Sequence, residues 1–113
     1  MFLQYYVTES ATGNRVNIEI DAATQADLDA TRNGWQTVWN TDFILDPQKE
    51  KYAAKTEDGE IIALGAYRVR KGSVAVYIAY IESQPESNPT LTEHKKYSGI
   101  GKAMIAFGIQ LSI

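Results

Sequence analysis

The chain of 113 residues contains no cysteine. That excludes a disulfide framework, a cysteine-based zinc site and a thiol nucleophile. Its one histidine, His94, is too few for a metal centre built from imidazoles, so no metal site is expected. No apolar run approaches the roughly 18 residues of a membrane span, and no membrane association is expected. Met1-Phe2-Leu3-Gln4 lacks the basic opening of a secretory leader. These absences point to a small cytoplasmic domain stabilised by its core alone.

What is present is ordinary in amount and uneven in placement. Hydrophobic residues make up 44% and charged residues 22%, as in a soluble globular domain. The net charge of −3 divides into 5 Lys/Arg against 11 Asp/Glu over residues 1–60, and 6 Lys/Arg against 3 Asp/Glu over residues 61–113. A basic half suits a polyanionic ligand and an acidic half a cationic one. On charge alone, a solvated surface is the favoured explanation. A net negative chain with no clustered basic helix gives little attraction for nucleic acid, so no such partner is expected.

One domain is expected, in four parts: residues 1–51, 52–82, 83–95 and 96–113. Phe2–Thr8 and Arg15–Ile20 have strand composition, with Ala11-Thr12-Gly13-Asn14 as the turn between them. Thr24-Gln25-Ala26-Asp27 resembles a capping box. Leu28, Thr31, Trp35, Val38 and Trp39 follow at helical spacing, with Gly34 splitting the segment into two helices. Asp46-Pro47 looks like another helix start. Tyr52–Glu57, Ile61–Arg70 and Val74–Glu82 read as a three-stranded meander turning at Asp58-Gly59 and Lys71-Gly72-Ser73. In the last strand both faces are apolar, which predicts a strand covered on both sides, with Tyr80 and Ile81 facing opposite ways. Ser83–Lys95 has no periodicity and is long for a connection, hence functional or mobile. From Tyr97 the chain is predicted to turn helical. Ile100, Ala103, Met104, Phe107 and Leu111 form an apolar stripe that Ile105, Ile109 and Ile113 thicken, so burial on more than one side is expected.

The most informative run is Lys96-Tyr97-Ser98-Gly99-Ile100-Gly101-Lys102-Ala103. Two glycines before an apolar helix let a ligand approach the backbone, and the free N–H groups and dipole of the helix start favour an anion. A strain-relieving helix entry has the same appearance. A Walker A loop fails because Ala103 takes the Ser/Thr place and Lys95 that of the first glycine. A dinucleotide fingerprint fails because Met104 stands at the third glycine.

Lys96-Tyr97-Ser98-Gly99-Ile100-Gly101 resembles the phosphate motif of the GNAT superfamily of N-acetyltransferases, Arg/Gln-x-x-Gly-x-Gly/Ala, with Lys in the first place. The setting is similar as well: an acidic N-terminal region, a meander, then motif and apolar helix. The resemblance implies an α+β fold with a mostly antiparallel sheet and flanking helices, a truncated form of the acyl-CoA N-acyltransferase fold. Its fifth strand, further helix and closing strands are not among residues 1–113. It further implies acetyl-CoA as co-substrate, with Lys96, Tyr97, Ser98, Gly99, Ile100, Gly101 and Lys102 around the pyrophosphate and Ile81 and Ser83 along the pantetheine arm. The acceptor would be a small-molecule or peptide amine.

Direct amine attack on a thioester needs no enzyme nucleophile, only proximity, an oxyanion donor and a proton route. Glu82 is the candidate base, although a strand-end carboxylate often serves only solvation. Tyr80 is a candidate wall of the acceptor site or a core residue, and His94 is a surface residue. The long loop is a candidate lid. The competing expectation is a non-catalytic interaction module that self-associates through an exposed strand edge, a homodimer by strand exchange.

Overall fold

The computed structural model describes residues 4–32, 34–37, 39, 49–69 and 76–111. Runs of aromatic and β-branched residues form the strands. β1 (Tyr5–Glu9) and β2 (Arg15–Ala22) make a hairpin, and β3 (Glu50–Thr56), β4 (Ile61–Val69) and β5 (Val76–Ser83) make the expected meander. A sixth strand, β6 (Tyr97–Ser98), pairs with β1 at Thr8 and Glu9. The order is β5-β4-β3-β2-β1-β6, every neighbouring pair is antiparallel, and the sheet is curled. With α1 (Gln25–Asp29) and α2 (Ile100–Leu111), the fold is α+β.

The helices cover opposite faces. Met104, Phe107, Ala103 and Ile100 of α2 bury against Val7, Ile18, Ala54, Ile62 and Tyr67. Leu28 of α1 and Trp39 bury against Ala53, Leu64 and Ala66 on the other face. The Tyr67 ring lies in a slot left by two glycines. A Cβ at Gly65 would come within 2.7 Å of that ring, and one at Gly108 within 3.0 Å. The Tyr67 hydroxyl donates to the Met104 carbonyl at 2.8 Å, so the helix approaches the sheet closely here.

Several expectations are corrected. Thr24 and Asp27 do form the capping box, but α1 ends at Asp29 and a 3₁₀ turn ends at Arg32, and among the described residues the second helix expected after Gly34 is not formed by Trp35–Thr37 and Trp39. Gly34 has φ +93°, outside helical geometry. The helix start at Asp46-Pro47 and the turn at Lys71-Gly72-Ser73 lie outside the described residues, as do Phe2, Leu3, Val38, Arg70, Val74, Ala75 and Ile113. Tyr97 and Ser98 are strand rather than helix, because their backbone pairs with β1 before the chain turns.

The last meander strand lies at the edge of the described sheet, and both of its faces carry packed residues as the apolar pattern predicts, although Tyr77 stays exposed. Its alternation is broken. Ala66 faces Tyr80 and Tyr67 faces Ile78, which leaves Ala79 as a one-residue bulge. Val76 and Ile81 therefore pack on the α2 face, and Ala79 and Tyr80 on the other. Finally, α2 is buried on one side only: Ile105 and Ile109 are 49% and 61% exposed. Among the described residues, no helix is long and apolar enough to cross a membrane.

Candidate functional site

The site begins with a mismatch of strand lengths. β1 pairs with β2 from Tyr5 to Thr8, whereas the short β6 covers only Thr8 and Glu9 on its other side. The Ser10 N–H donates to the Lys96 carbonyl across that side, at 3.0 Å. Strand periodicity then points the backbone N–H and C=O of Tyr6 the same way, past the end of β6. Gly99, at φ +88°, turns the chain from β6 into α2, a conformation other L-residues resist. The helix leaves at an angle that opens a groove of about 480 Å³. Gln4–Thr8 line one side and Ser98, Gly99, Lys102, Ala103 and Ala106 the other.

Small side chains on the helical wall leave backbone accessible. The Gly99 carbonyl accepts from the Ala103 N–H at 3.0 Å, placing Gly99 at the cap position. Among the described residues no side chain bonds the N–H groups of Ile100, Gly101 or Lys102 ahead of that bond. Those donors, the dipole of a helix of 12 residues and the exposed Lys102 ammonium make this end of the groove electropositive. The Arg15 guanidinium, from the neighbouring β2, sits 4.0 Å from the ring centre of Tyr6, a residue of the other wall.

Of the residues singled out in the sequence, Ser98, Gly99 and Lys102 meet in this groove, with Ile100 and Gly101 contributing backbone at the helix start. Lys96 and Tyr97 turn elsewhere. The Tyr97 N–H donates to Ser87 Oγ at 3.0 Å, and its buried ring carries the hydroxyl to Glu60 at 3.2 Å. The Lys96 ammonium pairs with the same carboxylate at 2.9 Å. Ile81 and Ser83 are on β5, at the opposite end of the strand order from β6.

Glu82 faces Leu64 across the β4–β5 pair, on the face that α2 does not cover. It is 4% exposed and accepts from the backbone N–H of Gln36 at 2.6 Å, that of Thr37 at 3.2 Å and the Trp39 indole at 2.9 Å. The Tyr80 hydroxyl bonds Thr37 Oγ1 nearby, at 2.8 Å. The structure thus does not bring Glu82 to the groove. His94 is exposed, in the loop.

Sequence reasoning missed Glu60. Partial burial opposes its charge, but hydrogen bonds from Gln84 and Lys96, the Lys96 charge and the Tyr97 hydroxyl outweigh that and hold its carboxyl below the usual range. The bond to Glu60 in turn holds the Lys96 ammonium above its ordinary value. Glu60 also lines a recess of about 320 Å³ with Asp27, Trp35, Gln84 and Glu86. Burial opposes the charge of Asp27 as well, and its bonds to Thr24 and Lys55 more than offset it. Nothing local marks Glu60 beyond its place after the Asp58-Gly59 turn, since its partners lie 24 to 37 positions away. Among the described residues no group of three or more His, Asp or Glu could hold a metal ion. Compared with protein-family models, curated proteins and solved structures, the chain matches none of them.

Proposed function

We propose that this domain binds acetyl-CoA and is an N-acetyltransferase, or the cofactor-binding part of one, with a partial acyl-CoA N-acyltransferase-like fold. The observation that carries this is the Gly99 turn: a motif resembling the GNAT phosphate loop opens an uncapped α2 onto an open groove. In that chemistry an amine attacks the thioester carbonyl, the C–N bond forms as the C–S bond breaks, and the thiolate leaves. The backbone N–H groups of Ile100, Gly101 and Lys102 would hold phosphate oxygens, with the Lys102 ammonium adding charge. The edge of β1 at Tyr6 offers one N–H and one C=O to an extended amide-bearing arm, the part first assigned to Ile81 and Ser83. Among the described residues no carboxylate lines the groove, so the amine proton would leave to water. Glu82 would serve as base only after Gln36, Thr37 and Trp39 release it.

Acetyl-CoA should raise the melting temperature and protect the Gly99–Lys102 amides from exchange. No shift at millimolar ligand would sink the binding claim. Lys102→Glu should weaken binding about tenfold or more, in line with loss and reversal of one charge-assisted contact. A screen of amine acceptors read by thiol release tests transfer and acceptor class together.

A second reading, a module that self-associates through a strand edge, is favoured by one observation. β5 ends the sheet, carries no charge from Val76 to Ile81, and leaves Tyr77 66% exposed. The Ala79 bulge works against pairing there. Sedimentation decides it: a monodisperse monomer that turns over acetyl-CoA rules it out.

A further inference from the structure

We propose that Glu60 is a positioning residue for the Gly99 turn, setting the anion affinity of a groove whose lining it does not join. This rests on the acetyl-CoA reading and adds to it the device that holds the turn. β6 is only two residues long and pairs with β1 at Thr8 and Glu9, so the sheet fixes the approach to Gly99 at one short point. The remaining constraint is a closed polar ring. Gln84 Nε2 donates to Glu60 at 2.9 Å, Ser87 Oγ donates to Gln84 Oε1 at 2.9 Å, the Tyr97 N–H donates to Ser87 Oγ at 3.0 Å, and the Tyr97 hydroxyl returns to Glu60 at 3.2 Å. Lys96 is added by its ammonium, 2.9 Å from Glu60, while its own N–H bonds the Glu86 carbonyl at 2.9 Å. Gln84 and Ser87 are 3% and 2% exposed, so their side of the ring is closed to competing water, while the Glu60 side chain is 32% exposed.

Both ends of the long loop are therefore tied to one carboxylate, together with the two residues that enter the turn. A change at Glu60 reaches Gly99 through Tyr97, two positions away. Rigid placement of donors is what makes a helix start a strong rather than a weak anion site.

The test uses coenzyme A as probe and the full chain. Glu60→Ala should weaken binding tenfold or more, and Ser87→Ala should do the same. Adding Ser87→Ala to Glu60→Ala should cost little more, because one ring is broken only once. Glu60→Gln, whose amide oxygen can still accept from Gln84 while its NH2 donates to the Tyr97 hydroxyl oxygen, should restore most of the affinity. Thr31→Val controls for stability: it removes bonds to Leu28 and Trp39 on the other sheet face and should lower the melting temperature with affinity unchanged. Affinity of Glu60→Ala within twofold of wild type overturns the proposal. If wild type itself does not bind coenzyme A, the acetyl-CoA reading falls, and amide exchange without ligand decides the positioning claim. Faster exchange at Tyr97 and Ala103, the hydrogen-bonded amides on either side of the turn, in Glu60→Ala than in Thr31→Val supports it, and equal rates overturn it.

Discussion

The two faces of the sheet are built on different principles. Against α2 the contacts are volume: Phe107 packs edge-on to Tyr5, Tyr52 and Tyr67, with ring centres 4.7 to 5.9 Å apart. On the other face α1 is a short helix of 5 residues, and much of the hold is polar, through Asp27, Thr31 and Glu82, each 5% exposed or less. One face is specified by shape and the other by hydrogen-bond bookkeeping. The first tolerates no lost volume and the second no lost acceptor. The groove belongs to the shape-built face, which presents backbone and the Lys102 ammonium rather than buried carboxylates.

Perturbing each face in its own terms separates them. Phe107→Ala should cost about 3–5 kcal/mol in chemical denaturation, since the surrounding rings cannot collapse onto the space. Glu82→Ala should cost about 3 kcal/mol or more, because three donors lose their acceptor in a buried site. Glu82→Gln should cost less, and its effect on acetyl transfer is decisive for the base: loss of turnover with unchanged stability would assign Glu82 to catalysis after all. Gly108→Ala should cost about 1–3 kcal/mol by crowding the Tyr67 ring. Thr24→Ala, removing the cap of α1, should cost about 1 kcal/mol.

Acid should act on the polar side first. Asp27 and Glu60 have carboxyls held below their ordinary values. Each contributes stability that is present above the unfolded carboxylate pKa and is lost as pH falls through the lower folded value. Asp27→Asn should therefore flatten the acid limb of a stability–pH profile, while Phe107→Ala should lower the whole profile without changing its shape.

Sequence pattern revealed what local chemistry determines. Thr24 and Asp27 cap a helix start, Asp58-Gly59 turns a hairpin, and Ile100, Ala103, Met104 and Phe107 mark the inner side of α2. It failed where distant residues decide. The bulge at Ala79 depends on how Ala66 and Tyr67 meet β5, and no periodicity within β5 announces it. Helical spacing from Leu28 to Trp39 was misleading, because the Glu82 acceptor captures the N–H groups of Gln36 and Thr37. The Gly99 turn was legible from its glycines. That β1 rather than β5 forms the facing wall was not, because the β1–β6 pairing joins the two ends of the described chain.

That pairing has a kinetic consequence. Thr8 meets Ser98 across nearly the whole sequence, so it carries the largest loop-closure cost of any pairing in the sheet. The hairpins and the meander can form from near neighbours. Closure of β6 on β1 is therefore expected to come after them, with the groove formed as the last strand arrives.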